Sequence, residues 1–352
     1  MGVSIKIHLP DGLTKSNKMR YKYIIIALLF AANAMAQTVM DVHSHIVTDG
    51  YMQLLKQHGA ELEDGYPLPE WSVEKHLAFM QEAGIDCAVL SMPSPQPYFG
   101  DAEESRRCIR SINEEAARAK AEHPDKFLFC ASLPLPDVQA AIREAVYALD
   151  TLHADGIKLA TNSRGQYLGD KALDTLMAVL NARKAVVILH PHTPAQRPEN
   201  TFTGGPIFVY EYPAETTRAV INMIENNIMV RYPDIKFVVP HSGSFLPIAL
   251  PRLRAAQPLL VRQGLMRQVD IDRNLKNLYY DLAGGPTPDM LKMLLTITTP
   301  DHIMYGSDYG FVPNAALVGV LKRIKGYLHQ DAELKPYAEG MLGGSARKLF
   351  KQ

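Results

Sequence analysis

Eight short apolar segments alternate with helical patterns along the chain, and this alternation constrains the fold more than any other feature of the sequence. The segments are rich in Val, Ile, Leu and Phe and lack strict polar alternation, as is typical of parallel strands buried on both faces. Parallel neighbours must be joined by crossovers, and the intervening helical patterns supply them. The predicted strands are Val39–His45, Cys87–Met92, Phe127–Leu133, Gly156–Ala160, Ala185–His190, Ile235–His241, Leu278–Leu282 and Ile303–Asp308.

The stretches between the strands have the periodicity of amphipathic helices, and Asp137, Asp170 and Thr287 stand where helix N-caps are expected. Eight strand–helix units predict an α/β protein folded as a single-domain (β/α)8 barrel, or TIM barrel. An open doubly wound sheet is the alternative. The predicted helices are Val73–Ala83, Ala102–Glu122, Val138–Leu152, Lys171–Asn181, Ala214–Asn226 and Thr287–Thr298.

Two connections are long and rich in Gly, Pro and polar residues: Ile46–Trp71 after the first strand and His192–Pro213 after the fifth. Connections that follow barrel strands lie on the catalytic face, and long loops in compact domains are usually functional. We therefore expect both loops to border an active site.

Residues 1–36 have the features of an export signal, which leaves 37–352 as the barrel domain. Positive charge at 19–22 precedes an apolar core at 23–34, and Ala34-Met35-Ala36 forms a small-x-small cleavage site. The apolar core is shorter than the roughly 20 residues that cross a bilayer, so no membrane span is expected after cleavage. The pattern predicts export to the periplasm, with Met19 as the true start; a short N-terminal helix of the mature fold is the alternative.

The formal charges balance, with 37 Lys plus Arg against 37 Asp plus Glu and no long basic stripe. This balance argues against nucleic acid or an anionic membrane surface as the partner. Neither of these two classes of partner is therefore expected.

The segment DVHSH at 41–45 places His43 and His45 on one face of the first strand, because side chains alternate along a strand. Such a pair also occurs by chance, and a lone histidine such as His190 is more often a satisfied core residue. However, His190, His241 and Asp308 end three further strands, and a barrel brings these strand ends to one mouth. Nitrogen and carboxylate ligands suit one zinc, manganese or iron ion. The sequence therefore predicts a metal site at this mouth.

Three further residues near predicted strand ends are candidates for substrate binding. His192 lies just beyond the fifth strand and is expected in a loop or facing the substrate. Lys158, in the fourth strand, is interpreted as a salt-bridge partner or a substrate contact. Trp71, the only tryptophan, is expected either to anchor the loop after the first strand or to form a wall of the substrate pocket.

Many motifs in the same order give the chain a resemblance to a known family. They include DVHSH, LPEWSVEKHLAFMQEAGIDCAVLSMPSP, FLFCASLPLPD, VVILHPHTP, YPDIKFVVPHSGSFLP, YYDLAG, YGSDYGF and GGSARKLF. From about Met40 to Phe350 the sequence resembles the amidohydrolase superfamily. It is most similar to the branch of aminocarboxymuconate-semialdehyde decarboxylase, and within it to the 6-methylsalicylate decarboxylase type.

The resemblance implies roles for particular residues. His43, His45 and His190 would ligate one divalent metal, with zinc favoured over manganese. Asp308 would close the site as a ligand or as a proton carrier beside the metal. His241 would be the acid/base that handles water or a substrate proton, and not a ligand.

A homodimer is also implied, because Arg252 matches an arginine that reaches the substrate carboxylate of a neighbouring subunit in the semialdehyde decarboxylase. An ordinary surface arginine is the alternative. The chain also departs from the family pattern: Ser244 stands where some decarboxylases carry Glu, and Gly310 where Pro is usual. The loop 46–71 contains no arginine, so we expect the substrate carboxylate to be held differently.

The preferred function is metal-dependent, non-oxidative decarboxylation of an aromatic or conjugated unsaturated carboxylic acid. The same residues also suit a metal-dependent hydrolase of a lactone or amide, in which metal-bound water attacks a carbonyl. A binding protein without catalytic activity is a third alternative, which the complete ligand set and His241 argue against.

Overall fold

A computed structural model describes residues 38–62, 65–196 and 206–350, and the predicted export signal lies outside these ranges. Eight parallel strands form one sheet, in the order in which they occur along the chain. They are β1 (Met40–His45), β2 (Cys87–Ser91), β3 (Phe127–Ser132), β4 (Gly156–Ala160), β5 (Val186–His190), β6 (Lys236–Val239), β7 (Leu278–Asp281) and β8 (Ile303–Met304).

Backbone hydrogen bonds join the last strand to the first and close the sheet into a barrel. Val42 N donates to Tyr305 O at 3.0 Å, and Asp308 N donates to His43 O at 2.8 Å. A parallel bridge pairs Ser44 with Tyr309. The structure therefore confirms the predicted (β/α)8 barrel, and the open-sheet alternative is wrong.

The helices surround the barrel, and none in the described part of the chain is long and apolar enough to cross a membrane. They are α1 (Asp49–Gln57), α2 (Val73–Ala83), α3 (Ala102–Glu122), α4 (Val138–Asp150), α5 (Asp174–Ala182), α6 (Glu211–Glu225), α7 (Ile228–Arg231), α8 (Leu246–Arg262), α9 (Ile271–Leu275), α10 (Pro288–Leu294), α11 (Asn314–Gln330) and α12 (Ser345–Phe350). One apolar cluster fills the space between strands and helices. A second includes Val42, Val89 and Val238, and α12 contributes Leu349 and Phe350 to it.

The predicted caps are present. The Asp137 side chain accepts a hydrogen bond from Ala140 N at 2.9 Å, and the Thr287 side chain accepts one from Met290 N at 3.3 Å. Asp170 caps a short 3₁₀ turn that precedes α5. Because a capping side chain satisfies an otherwise unpaired N–H, it fixes where each element begins.

Two predictions need correction. The connection Ile46–Trp71 is not loop throughout, because Thr48 caps α1, which buries Tyr51 and Leu55. The sixth and eighth strands end earlier than predicted. His241 and Asp308 have φ values of +56° and +61°, and this left-handed backbone cannot continue a strand.

Candidate metal centre

Three imidazoles meet at the mouth of the barrel, which is the ring of carboxyl ends of the strands. His43 and His45 come from β1 and His190 from β5, and all three are buried. The ring centroids of His43 and His45 are 5.0 Å apart, as are those of His45 and His190, and those of His43 and His190 are 5.5 Å apart. One potential ligand atom from each residue lies within 4.8 Å of the other two. The predicted trio is therefore assembled in space.

The hydrogen bonds of these histidines direct their other ring nitrogen toward the centre. Nδ1 of His43 lies 2.8 Å from Asp281 Oδ2 and Nδ1 of His190 lies 2.9 Å from Pro191 O. Nδ1 of His45 lies 3.3 Å from Ser91 O. A neutral imidazole that donates from Nδ1 has an unprotonated Nε2, which is the form that binds a metal. His43 Nε2 is buried without a hydrogen-bond partner among the described residues, so the donor set fits a cation.

Asp308 faces the same point from the end of β8. Its Oδ1 lies 3.0 Å from His45 Nε2 and 3.5 Å from His43 Nε2, and its Oδ2 lies 3.6 Å from His241 Nε2. An unprotonated ring nitrogen and a carboxylate are both acceptors, so their approach favours a cation or a proton between them. Although partial burial acts to raise the pKa of Asp308, the neighbouring His241 and His45 hold it well below its ordinary range.

The surroundings shift the pKa values of the three histidines in different directions. Burial acts to lower the pKa of His43, but the carboxylates around it, chiefly Asp281, outweigh this effect and raise that pKa to about 9. Burial lowers the pKa of His45 and lowers the pKa of His190 well below its usual value. Two of the three rings therefore favour the neutral form that a metal requires.

Asp281, at the end of β7, connects the trio to His241. Its Oδ2 pairs with His43 Nδ1, and its Oδ1 accepts hydrogen bonds from His241 N at 2.9 Å and from Ala283 N at 3.0 Å. One carboxylate thus sets the ring orientation of a candidate ligand and the backbone position of the candidate acid/base. Sequence reasoning missed Asp281. An Asp that ends an apolar strand needs a partner for its charge, so the sequence did carry a signal for Asp281.

The backbone at the mouth is strained at several non-glycine residues. His241 and Ser242 have φ values of +56°, and Ser244 has φ +55°. Such residues cost free energy and persist where the surroundings hold them, commonly at functional sites. The turn after β6 therefore places the His241 ring beside Asp308 at the expense of local stability.

Comparison with known proteins agrees with this geometry. The family model described as "Amidohydrolase" matches residues 40–352. The chain belongs to the amidohydrolase family. It is an enzyme of that superfamily, a decarboxylase or a hydrolase.

Two relatives cover most of the chain. A protein named decarboxylase yanB, from Aspergillus niger, is 33% identical over 88% of this chain and 87% of its own length. The 6-methylsalicylic acid decarboxylase of Penicillium expansum is 31% identical over 88% of this chain and 95% of its own. Both relatives carry the name of a decarboxylase, as the resemblance predicted.

Solved structures share the fold. A crystal structure described as amidohydrolase II is 32% identical, has a TM-score of 0.81, and covers 90% of this chain and 100% of its own. The 5-carboxyvanillate decarboxylase of Novosphingobium aromaticivorans, solved with manganese and 3-methoxy-4-hydroxy-5-nitrobenzoic acid, has a TM-score of 0.74 at 20% identity. It covers 90% of this chain and 98% of its own. The second likeness concerns the fold alone.

Two further predicted site residues of this amidohydrolase, Lys158 and His192, are buried near the mouth. Lys158 is buried in β4 and is one of the charges that lower the pKa of His190, after burial and His45. His192 is buried, with Thr193 N 2.7 Å from its Nδ1 and Gln96 N 3.4 Å from its Nε2. It therefore links the loops after β2 and β5.

In the described part of the chain, Trp71 and Arg252 form no hydrogen bond, ion pair or ring contact with the three histidines. The Trp71 indole donates to His76 Nδ1 at 3.1 Å, a contact suited to an anchor of its loop. Arg252 is exposed on α8. A substrate contact by either residue stays a prediction.

Aromatic side chains from the loops after β1 and β8 and from the start of α6 lie around the mouth. Phe311 lies 5.4 Å from His45 and Tyr212 lies 6.1 Å from His190, measured between ring centroids. Tyr66 contacts the Phe311 ring at 6.4 Å. The mouth is therefore polar at its base and aromatic at its rim.

Proposed function

We propose that this chain is a metal-dependent, non-oxidative decarboxylase of aromatic carboxylic acids. The observation that carries the proposal is the convergence of three inward-facing imidazole nitrogens with the Asp308 carboxylate, beneath an aromatic rim. The names of the fungal relatives support decarboxylation over hydrolysis.

His43, His45 and His190 would hold one divalent ion, with Asp308 as a fourth ligand or as a proton carrier beside it. Such an ion would supply a positive charge that orients the substrate and stabilises the negative charge that develops on it. Zinc is the ion favoured by the sequence. Manganese is the ion in two related decarboxylase structures, so both are candidates.

Asp308 and His241 would move the proton. Asp308 Oδ2 lies 3.6 Å from His241 Nε2, so the two groups stand side by side at the mouth and either could deliver a proton to a bound substrate. Delivery of that proton to the ring carbon that bears the carboxylate is followed by cleavage of the bond to the carboxylate carbon. CO₂ leaves, and the bonding electrons restore the aromatic ring. Proton delivery by a positioned side chain accelerates such steps by about 100- to 10,000-fold.

The aromatic rim favours a ring over an open-chain muconate as the substrate. Phe311, Tyr212 and Tyr66 present flat faces and edges, and aromatic pairs gain about 0.5–1.5 kcal/mol beyond simple burial. An open-chain acid would gain the burial without that geometric term. Lys158 and His192 are proposed to contact the substrate from β4 and from the loop after β5.

We further propose a homodimer in which Arg252 serves the neighbouring subunit. Arg252 is exposed on α8, a position compatible with a contact in trans. The test mixes Arg252→Ala subunits with Asp308→Asn subunits under conditions that exchange them. In a twofold dimer each mixed pair would contain one intact site, so activity should return on mixing. If both parents are inactive and mixing restores nothing, the shared site is excluded.

We also propose that residues 1–36 are removed and that the enzyme acts in the periplasm. The support is the signal pattern of the sequence. Mass spectrometry of the protein purified from its own cells should find Gln37 as the first residue. Retention of Met1 or Met19 would contradict the proposal.

The decisive experiment uses protein lacking residues 1–36, loaded separately with zinc and with manganese. A panel of hydroxybenzoates, methylsalicylates and muconate-type acids is assayed for CO₂ release and for loss of substrate absorbance. Equimolar CO₂ that disappears with a chelator is the expected result. Release of acid from lactones or amides without CO₂ would instead identify the hydrolase, and a protein that binds neither metal would overturn the proposed centre.

A further inference from the structure

Residues 65–71, at the end of the connection after β1, lie against residues 309–311, which follow Asp308. We call residues 65–71 the clasp. The first contact is a hydrogen bond in which Tyr66 Oη donates to the carbonyl oxygen of Phe311 at 3.0 Å. It ties a side chain of the clasp to the backbone three residues beyond Asp308.

The second contact is steric. Gly310 has φ +127°, and a Cβ built on it would lie 3.0 Å from Pro69 Cγ. Proline fixes φ near −65°, so a proline at position 310 could not follow this backbone path. The absent side chain lets Pro69 approach the backbone closely. The close approach of Pro69 therefore depends on the absence of a side chain at Gly310.

The third contact passes through a buried histidine. Trp71 Nε1 donates to His76 Nδ1 at 3.1 Å, and the His76 ring lies 4.3 Å from the ring of Tyr309. Tyr309 in turn stacks on Phe79 at 4.3 Å. Burial lowers the pKa of His76 to about 3, which keeps its Nδ1 available as an acceptor. Trp71 of the clasp thus supports, through His76, the side chain of Tyr309, which follows Asp308.

Asp308 itself needs such support. Its φ of +61° is uncommon for a non-glycine residue, and such a conformation persists only when its surroundings hold it. The backbone bond from Asp308 N to His43 O at 2.8 Å restrains one side of the residue. The other side is the segment 309–311 that the clasp contacts.

We propose that the clasp positions the Asp308 carboxylate, with Tyr66 and Pro69 as positioning residues and Gly310 as the point at which the clasp closes. The proposal rests on the proposed function only where it assigns Asp308 the transferred proton. The contacts themselves predict a mechanical coupling between the clasp and the segment 309–311 whatever the reaction.

The test compares Gly310→Ala with Gly326→Ala. A Cβ at Gly310 meets Pro69 and is strained by φ, whereas one at Gly326, in α11, meets nothing within 4 Å. Tyr66→Phe is the milder variant, because it removes one hydroxyl, and Tyr147→Phe on α4 is its control. Trp71 is the only tryptophan and lies in the clasp, so its fluorescence reports on the clasp without an assay of activity.

Gly310→Ala should lower kcat by about 100-fold, the loss that a displacement near 1 Å can cause, with little change in KM. Tyr66→Phe should lower kcat by roughly 2- to 10-fold, as expected for one hydrogen bond. In both variants acrylamide should quench Trp71 more readily than in the wild type. Gly326→Ala and Tyr147→Phe should match the wild type in every readout.

Two results would overturn the inference. One is a Gly310→Ala or Tyr66→Phe protein with wild-type kcat and wild-type quenching of Trp71. The other is a rise in KM at unchanged kcat, which would make the clasp a substrate contact and not a support of Asp308. If Gly310→Ala does not fold, Tyr66→Phe decides. If the wild type releases no CO₂ from any acid, the proposed function fails, and the quenching of Trp71 alone still decides whether the clasp is coupled to the segment 309–311.

Discussion

Two buried polar networks adjoin the barrel strands, and they differ in how completely their atoms are hydrogen-bonded. Between α3, α4 and β3, both carboxylate oxygens of Glu144 are paired, with Arg110 at 2.7 Å and with Asn113 at 2.8 Å. Asn113 also accepts from Ser132 N at 2.8 Å and donates to Ser132 O at 3.0 Å. Every polar side-chain atom of Glu144 and Asn113 therefore has a partner, and we call these two side chains the complete network; the neighbouring Ser132 hydroxyl has no partner among the described residues.

The network at the mouth is incomplete. His43 Nε2 and His241 Nδ1 are buried and have no hydrogen-bond partner within the described ranges, and Ser242 and Asp308 have left-handed backbones. Leaving a buried polar atom unpaired costs about 1–3 kcal/mol. The complete network thus stabilises the fold. The unpaired atoms at the mouth, on a strained backbone, indicate a place where a ligand completes the pairing.

The largest expected effect comes from the incomplete network. Asp308→Asn should lower CO₂ release by about 100- to 10,000-fold, because the amide cannot carry the transferred proton. Circular dichroism and the melting temperature should stay near wild type. Asp301→Asn, at a side chain that is 70% exposed, is the control. Turnover retained in Asp308→Asn would exclude the residue as the proton carrier.

Manganese should stabilise the protein by binding at the barrel mouth and at no other site. Free manganese at about a hundred times Kd should raise the free energy of unfolding by about 2.7 kcal/mol, because the ion binds only the folded state. Thermal melting with and without manganese measures this shift. His45→Ala should abolish the shift and the surface variant His329→Ala should retain it. An equal shift in both variants would mean that manganese binds elsewhere.

A mutation in the complete network should lower stability and leave activity unchanged. Asn113→Ala removes three hydrogen bonds and should lower the free energy of unfolding by about 1–3 kcal/mol, with kcat unchanged. Urea denaturation and the CO₂ assay measure the two quantities. Asn226→Ala, on the surface at the end of α6, is the control. A loss of kcat in Asn113→Ala would remove the distinction between the two networks.

The smallest effect concerns backbone strain. Ser242→Gly should raise the free energy of unfolding by about 1 kcal/mol, since glycine adopts φ +56° without a steric penalty. It should also lower kcat, because the turn would hold His241 less firmly. Ser242→Ala removes the same hydroxyl, which is buried without a hydrogen-bond partner among the described residues, but it keeps the backbone strain, so Ser242→Gly should be the more stable of the two variants. Equal stability of the two variants would show that strain at this turn is negligible.

The sequence predicted the barrel and the members of the mouth, because strand alternation and strand ends are local properties of the chain. His43 and His45 are two residues apart, and the rule that strand side chains alternate is enough to place them together. Asp281 ends its strand and could have been found by the same rule, whereas its pairing with His43, 238 residues away in the sequence, could not be predicted.

The left-handed turns at His241 and Asp308 could not be predicted either. Neither residue is a glycine, and the conformation arises from contacts made by the folded chain. Helix α8 was not among the predicted helices, since Pro251 and Pro258 interrupt its pattern. Local rules therefore gave the scaffold and the inward-facing residues, while tertiary contacts determined how those residues are held.

The seam between β1 and β8 has a consequence for folding. The candidate site draws His43 from the first strand and Asp308 from the segment after the last, and the bond from Asp308 N to His43 O joins them. A growing chain would therefore carry the three histidines without Asp308 until the segment after its final strand is made. Ring closure and full metal affinity should arise in a single event, so uptake of the ion would mark the moment when the chain has finished folding.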